Sequence, residues 1–314
     1  MKAFKSIRRL CRYVHDAWYA HAYEQGWRSY TQVDGGRLVW VTPGKHDWHR
    51  AFVADPFLFR YKDVNWLFYE TVGPDWKGKI GCFKEENGRW VQQGIVLEQP
   101  WHMSYPQVFE EDGHVYMIPE QSANGNVCLY EAKGFPFQWE KRAVLIERPF
   151  ADATLLRKDG HYYLACYEIP PHECAELWHA STLWGPWERH PCWNHINQSS
   201  RLRRCGGAFI ERDGQLFRMA QDCNGGYGKR LFKVPVLSIT PTSYEEGSAE
   251  LFLDRKTSPH AYKHTYNEIF VGGKKLSTFD IQHKSRLPFF KIVVALSKRL
   301  VRRLHLGYRT NELT

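Results

Sequence analysis

The stretch ADPFLF at residues 54–59, followed by WLFYE at residues 66–70, is the first copy of a pattern that decides the fold. A short polar or acidic signature leads into an apolar run, a turn follows, and an aromatic-rich strand completes the copy. The pattern returns roughly every 50 residues, a spacing typical of β-propeller blades. The later copies are YPQVF (105–109) with VYMIPE (115–120), ADATLL (151–156) with HYYLACYE (161–168), RCGGAF (204–209) with QLFRMA (215–220), and a weaker HTYNEIF (264–270).

Asp-Gly pairs mark the turns inside three of these copies. They stand at residues 112–113, 159–160 and 213–214, each between two apolar or aromatic runs. Asp-Gly in that setting is a strong signal for a two-residue β-hairpin. Few segments between residues 40 and 280 show helical periodicity. The sequence therefore predicts an all-β fold, a five-bladed β-propeller spanning residues 40–280.

The charge of the chain is concentrated at its ends. The formal net charge is +9, of which residues 1–12 carry +5 and residues 281–314 carry +7, so the span between them carries −3. A nucleic-acid groove would need a basic stripe on the propeller itself, and we therefore predict no nucleic-acid partner. The two ends are predicted to be short basic helical extensions, with residues 1–39 at the N-terminus and residues 281–314 at the C-terminus.

The C-terminal extension has the pattern of an amphipathic helix. Apolar side chains recur at three- and four-residue steps from Phe289 to Leu304, and basic side chains line another face. Such a helix can lie in a membrane interface that contains anionic lipid, or it can pack its apolar stripe on the propeller. Residues 287–296 are too short and too polar to span a bilayer.

The sequence favours a cytoplasmic location, with peripheral attachment at the inner face of the plasma membrane through the C-terminal helix. No apolar signal-peptide core follows the basic start. The eight cysteines are scattered without a CxxC pair, so we expect thiols instead of disulfides. The Cys and His residues between 172 and 195 match no defensible zinc spacing. We predict neither a metal nor another cofactor.

Asp55 and Asp152 are the first candidates for catalysis. They stand at equivalent points of copies one and three, each after Ala and before an apolar run, so both side chains should point into one axial funnel. Two carboxylates in one cavity suit glycosidic-bond chemistry, one as base or nucleophile and the other as acid. Alternatively, each Asp only caps a turn at the rim of the propeller.

Further polar residues complete the predicted site. Glu120 follows an apolar run that should be buried, where burial would raise the pKa of a carboxyl, and we predict that this strand-end acid is catalytic. The other residues are predicted to bind substrate, although strand-end acids and basic residues can equally form structural ion pairs. They are Tyr105, Glu70, Glu168, Arg204, Asp222 and His264, with His260 as a rival of His264.

An ordered series of motifs resembles a known family. HMSYPQVF at residues 102–109, YMIPE at 116–120, LYEA at 129–132 and GPW at 185–187 are similar to the five-bladed propeller at the N-terminus of plant glucosamine inositolphosphorylceramide transferases, in the form of a bacterial homologue. The resemblance covers about residues 40–270. It implies a fold like that of the arabinanase, levansucrase and invertase glycosidases, or glycoside hydrolase family 43.

The same resemblance implies roles for the two aspartates, with Asp55 as the catalytic Asp of the first blade and Asp152 as the residue that tunes the acid. Where those hydrolases place a general-acid Glu, this chain reads Arg204-Cys205-Gly206-Gly207. The third catalytic group is therefore absent or has moved to Glu120 or Glu168, and simple hydrolysis is in doubt.

Two functions follow from this reading. The first is a carbohydrate-active enzyme of cell-surface polysaccharide or glycolipid biosynthesis, which cleaves or transfers a glycosyl unit from a glycan, a lipid-linked sugar or a nucleotide sugar at the axial site. The second is a non-catalytic sugar-binding or scaffold propeller that recruits a glycosyltransferase partner to the membrane.

Overall fold

The computed structural model describes residues 27–42, 52–72, 77–169, 171–197, 199, 201–224, 227–253 and 261–283. These ranges form five antiparallel β-sheets and two three-residue 3-10 helices. The prediction of an all-β, five-bladed propeller is confirmed. The predicted basic helical extensions, where they cover residues 1–26 and 284–314, lie outside the described residues. In the part of the chain that is described, we find no helix of the length and apolarity needed to cross a bilayer.

The strands follow one another through the blades in chain order. Two strands, β1 (Trp27–Val33) and β2 (Val39–Trp40), precede blade 1. Blade 1 contains β3 (Ala54–Tyr61), β4 (Val64–Val72), β5 (Gly78–Glu86) and β6 (Arg89–Leu97). Blade 2 contains β7 (Ser104–Glu111), β8 (His114–Glu120), β9 (Val127–Gly134) and β10 (Gln138–Ile146). Blade 3 contains β11 (Phe150–Lys158), β12 (His161–Glu168), β13 (Cys174–Ala180) and β14 (Glu188–Arg189).

The last two blades are less regular. Blade 4 contains β15 (Arg204–Cys205), β16 (Ile210–Arg212), β17 (Gln215–Asp222), β18 (Arg230–Ile239), β19 (Tyr244–Glu246) and β20 (Glu250–Leu253). Blade 5 contains β21 (Ala261–Tyr262), β22 (Tyr266–Val271) and β23 (Lys274–His283), together with β1 and β2.

Each blade begins with a hairpin whose two turn residues both have positive φ. The predicted Asp-Gly turns of blades 2, 3 and 4 are confirmed, with φ near +50° at each Asp and between +73° and +77° at each Gly. Blade 1 turns through Lys62-Asp63 and blade 5 through Gly272-Gly273 in the same conformation. Two positive φ values define the type I′ turn, whose twist matches that of the strands it joins. All five copies of the repeat therefore use the same turn.

Blade 5 is built from both ends of the described chain, which corrects the predicted boundary at residue 39. β1 pairs with β23 along its whole length, from Trp27 opposite Gln282 to Val33 opposite Leu276. The segment was predicted to belong to a helical extension, but Ser29 and Thr31 are buried in the sheet. This pairing closes the ring and removes the open edge that β23 would otherwise expose.

The apolar core lies between the faces of adjacent blades. Trp66 and Phe68 of blade 1 pack in one cluster with Met117 and Tyr130 of blade 2, and Phe135 inserts its ring among them. The blade faces take up the apolar side chains, and the inner strands bring polar residues to the axis.

Candidate functional site

A shared backbone distortion places the signature residues of the first three blades. Asp55, Tyr105 and Asp152 have φ values of +46°, +47° and +49°, and the strand register shifts at each of them. The left-handed region costs a residue with a Cβ about 1–2 kcal/mol. Bulges of this kind redirect a side chain, and each of the three reaches a residue of another blade. The repeat thus directs one polar side chain from each of the first three blades toward another blade.

Asp55 is held against blade 5. It is 4% exposed, its Oδ1 accepts a hydrogen bond of 2.5 Å from the Thr265 hydroxyl, and His264 Nε2 lies 3.4 Å from the same oxygen. The backbone N–H of Asp55 donates to Asp280 Oδ2 at 3.0 Å. The predicted site residues Asp55 and His264 are therefore brought together, in contact with two residues that the sequence did not single out.

Asp280 organises this contact. Its carboxylate accepts the backbone N–H groups of Asp55, His264 and Thr265 at 3.0 to 3.2 Å, and its Oδ2 lies 2.6 Å from His264 Nδ1. Sequence reasoning missed it, although a signal was available. Glu70, Glu120 and Asp280 each stand seven positions after the second residue of their hairpin turn, so the repeat itself marks Asp280 as the counterpart of two predicted acids.

The pKa values of this cluster are displaced by burial and by crowding of acids. Burial raises the pKa of Asp55 to about 7. The charge of His264 opposes this rise, and the charges of Glu70, Asp152 and Asp280 add to it. For His264, burial alone would lower the pKa, but the charges of Asp280 and Asp55 prevail and raise it to about 9. The site therefore pairs an imidazolium with a carboxyl that titrates near neutrality.

Asp152 is neutralised by Arg204. The guanidinium of Arg204 donates through Nε to Asp152 Oδ2 and through Nη2 to Oδ1, and Gln221 Nε2 donates to Oδ2 at 3.1 Å. The Asp152 side chain is 2% exposed and that of Arg204 21%. Arg204 also lies over the rings of Tyr227 and Tyr167, at 5.0 and 5.8 Å from their centroids. Two predicted site residues thus form a bidentate ion pair, which Arg204 links to the less buried part of the site.

The two acids from β4 and β8 are already bonded. His102 Nδ1 accepts the N–H of Gly78, so the proton of this imidazole faces Glu70, whose Oε1 lies 3.1 Å from Nε2. Glu120 accepts hydrogen bonds from Ser104 Oγ at 3.1 Å and Ser122 N at 2.9 Å. Both carboxylate oxygens of Glu120 are therefore already in use as hydrogen-bond acceptors within the protein.

Three of the residues predicted to bind substrate make contacts within the protein. Tyr105 has no exposed surface, and its hydroxyl is bonded to Thr154 Oγ1 and to the N–H of Gly207. Glu168 accepts a hydrogen bond from Arg148, which also binds Glu176. Asp222 is fully buried, and although burial works in the other direction, Arg201 and the N–H of Asn224 lower its pKa. The Tyr105 hydroxyl thus links blade 2 to blades 3 and 4. The two acids bind arginines from loops.

Blade 4 leaves no room for the general acid of the glycosidases. Gly207 has φ +129°, and a Cβ added there would lie 1.8 Å from the carbonyl oxygen of Tyr266. At Gly206 a Cβ would lie 2.4 Å from Leu231 Cδ2 and 2.9 Å from the carbonyl oxygen of His264. No side chain therefore fits at Gly206 or Gly207 without displacing the backbone of blade 5.

The ligand atoms of Asp55, His264 and Asp280 lie within 4.8 Å of one another, a spacing that could hold a metal ion. Their bonding does not fit one. Asp280 uses both oxygens to accept N–H groups, and each nitrogen of His264 faces a carboxylate. A protonated imidazole has no lone pair for a metal. The cluster suits a protonated histidine better than a metal ion.

The chain is similar to proteins of known name in its sequence and in its fold. A family model described as glucosamine inositolphosphorylceramide transferase 1, N-terminal, matches residues 38–285. Glucosamine inositolphosphorylceramide transferase 1 of Arabidopsis thaliana is 32% identical over 271 residues, covering 78% of this chain and 35% of that protein. The protein of the same name from Oryza sativa subsp. japonica is 33% identical over 227 residues, covering 69% and 30%. The chain thus spans about a third of the length of these relatives.

Solved structures of glycosidases share the fold. A thermostable family-43 glycoside hydrolase has a TM-score of 0.54 at 11% identity, covering 68% of this chain and 81% of that one. The exo-β-1,3-galactanase of Phanerochaete chrysosporium has a TM-score of 0.55 at 12% identity, covering 80% and 67%. These likenesses concern the fold alone. The match along residues 38–285 and the identity to the plant proteins carry the assignment, and the chain belongs to the family of the N-terminal domain of glucosamine inositolphosphorylceramide transferase 1.

Proposed function

We propose that this propeller is a carbohydrate-active protein of cell-surface polysaccharide or glycolipid biosynthesis, and that it acts on a glycosyl unit at the axial site. The observation that carries the proposal is the state of Asp55. A buried carboxyl on a left-handed backbone, crowded by Glu70, Asp152 and Asp280, is costly to fold. Such groups cluster at functional sites, where a pKa near neutrality suits a general base.

Transfer fits the site better than hydrolysis. Hydrolysis of a glycoside needs an acid to protonate the leaving oxygen, and blade 4 has no room for one at Gly206 and Gly207. A sugar carried on a phosphate needs less help from an acid, because phosphate leaves as a stable anion. In this proposal Asp55 takes the proton of the acceptor hydroxyl. The acceptor oxygen then bonds the anomeric carbon as the bond from that carbon to the phosphate oxygen breaks, and the phosphate leaves with the electron pair close to Arg204. A nucleotide sugar or a lipid-linked sugar phosphate belongs to the donor class that meets this requirement.

A binding-only function is the second candidate, and burial favours it. Asp55, Asp152, His264 and Asp280 are each at most 4% exposed, and Asp152 is already neutralised by Arg204. A propeller that binds a sugar and recruits a glycosyltransferase needs no exposed base. The paired acids would then serve to stabilise the axis.

Mass spectrometry of the surface polysaccharide and its lipid-linked intermediates separates the two candidates. The strains are wild type, a strain that lacks the gene (the deletion), Asp55→Asn and the control Asp159→Asn. Asp159 has φ +50°, like Asp55 at +46°, but it lies in the exposed turn of blade 3. We expect Asp55→Asn to reproduce the glycan of the deletion and Asp159→Asn to match wild type.

Each other outcome has a definite reading, provided that thermal melts find Asp55→Asn folded. An altered glycan in the deletion alone would favour the binding or scaffold function. A deletion strain with an unchanged glycan would overturn both candidates.

We also propose a peripheral location at the inner face of the plasma membrane. The support is the sequence pattern of residues 281–314, whose net charge of +7 would be attracted to anionic lipid. Deleting residues 286–314 is expected to move most of the protein from the membrane fraction to the soluble fraction at physiological salt. An unchanged distribution between the two fractions would contradict the proposal.

A further inference from the structure

Blade 5 places a buried histidine, His264, beside Asp55. The carboxylates around this histidine account for its charge without any substrate. The His264 side chain is 2% exposed, with Asp280 Oδ2 at 2.6 Å from one ring nitrogen and Asp55 Oδ1 at 3.4 Å from the other. A histidine between two carboxylates is strongly favoured as the cation. The charged groups around it are Asp55 on β3, Asp280 on β23 and Arg204 on β15, and Arg204 acts against the positive charge.

An aromatic ring covers this histidine from the closing strand. Trp27, the first residue of β1, stacks on the His264 ring with centroids 3.8 Å apart and planes 16° apart. Tyr227 meets both rings edge-on, at 5.2 Å from His264 and 6.1 Å from Trp27. An aromatic face stabilises a cation placed over it, most strongly where water is excluded, and Trp27 is 5% exposed.

We infer that Asp280 and Trp27 are positioning residues that fix His264 as the permanent counter-ion of Asp55. Asp280 forms an ion pair with the imidazole and also accepts the backbone N–H of Asp55, so one carboxylate contacts both partners. Without that cation, Asp55 would face Glu70, Asp152 and Asp280. The two other positive charges near it are already paired, Arg204 with Asp152 and His102 with Glu70. The counter-ion makes a carboxylate at position 55 tolerable and hence usable as a base.

Closure of the ring brings the parts of this site together. Trp27 lies on β1 and Asp280 on β23, and these are the two strands whose pairing closes the propeller. The site is therefore complete only when the N-terminal strand has docked. The inference deepens the proposed function and rests on it for the role of Asp55 as a base, but the charge of His264 can be tested without any substrate.

The test is a pH titration of the full chain labelled with 15N-histidine, followed by NMR. The His264 signals are identified by their loss in His264→Gln. We expect His264 of wild type to stay protonated at pH 7.5, in line with its pKa of about 9. Asp280→Asn should lower the titration midpoint by about 1 to 3 pH units. Trp27→Leu, which keeps an apolar side chain, should lower it by roughly 0.5 unit. Asp159→Asn is the matched control and should leave it unchanged.

A wild-type His264 that titrates at or below its ordinary value of 6.5 would overturn the inference, as would an unmoved midpoint in a folded Asp280→Asn. If Asp280→Asn does not fold, the titration midpoints of His264 in wild type and in Trp27→Leu still test the inference. The titration also distinguishes the two proposals. If wild-type His264 is charged but Asp55→Asn has a normal glycan, the proposed counter-ion role of His264 stands and the proposed catalytic role of Asp55 is wrong.

Discussion

Gly207→Ala is expected to lower the free energy of unfolding by more than about 4 kcal/mol, a loss large enough to prevent folding in most domains. The added Cβ would lie 1.8 Å from the carbonyl oxygen of Tyr266 and 2.8 Å from its carbonyl carbon. Both are backbone atoms of blade 5, so no side-chain rotation relieves the overlap. The N–H of Gly207 also donates to Tyr105, and a shift of this strand would break that bond.

Gly94→Ala is the matched control for Gly207→Ala. Gly94 has φ +111°, close to the +129° of Gly207, but nothing lies within 4 Å of its Cβ position. The control therefore isolates the cost of the backbone conformation from the cost of the overlap, and we expect it to lose only about 1–2 kcal/mol. Urea unfolding followed by circular dichroism measures both. Equal losses of unfolding free energy in the two variants would mean that blade 5 does not crowd the Cβ position of Gly207. The argument that blade 4 has no room for a general acid would then fail.

Asp55→Asn is expected to stabilise the protein above neutral pH. The folded Asp55 keeps its proton up to a pKa of about 7, against an ordinary value of 3.8. Between these values the folded state binds more protons than the unfolded state, so stability falls as pH rises from about 4 to about 7. Asn keeps the shape of the protonated acid and carries no charge at any pH. The variant should therefore escape this loss, which is about 2 to 4 kcal/mol for a shift of this size.

Thermal melts at pH 5 and pH 8 measure this effect. The melting temperature of Asp55→Asn should exceed that of wild type by roughly 4 to 16 °C at pH 8, with a smaller difference at pH 5. Asp159→Asn should follow wild type at both values. An Asp55→Asn variant that is less stable than wild type at pH 8 would indicate that the carboxylate is satisfied in the fold. The result would then give no support to the view that Asp55 is kept for function at the expense of stability.

Local signals in the sequence explain what could be predicted. Asp112-Gly113, Asp159-Gly160 and Asp213-Gly214 need no distant partner to form type I′ turns, because Asp and Gly tolerate positive φ. The equivalence of Asp55 and Asp152 followed from their places in the repeat. Both are bulged residues in the structure, with positive φ and a shifted strand register. Asp280 was within reach of the same reasoning, since it occupies the repeat position of Glu70 and Glu120.

Other contacts could not be read from the sequence, because their partners lie far apart along the chain. β1 was predicted to be part of a helical extension, yet its pairing with β23 outweighs the local pattern. The partners of Glu168 and Asp222 are Arg148 and Arg201, ordinary surface residues by sequence that happen to meet these acids in the fold.

The sequence alone determined the number of blades, the inner hairpins and the presence of one polar side chain per inner strand, since each depends on residues within one repeat of about 50. The tertiary structure decided which of those side chains share a site and in what charge state. Asp55 meets Asp280 across 225 positions of sequence. Closing the ring buries these acids together with His264 under Trp27. Burial and the charge of neighbouring groups set the pKa of a carboxyl, and both exist only once the ring has closed.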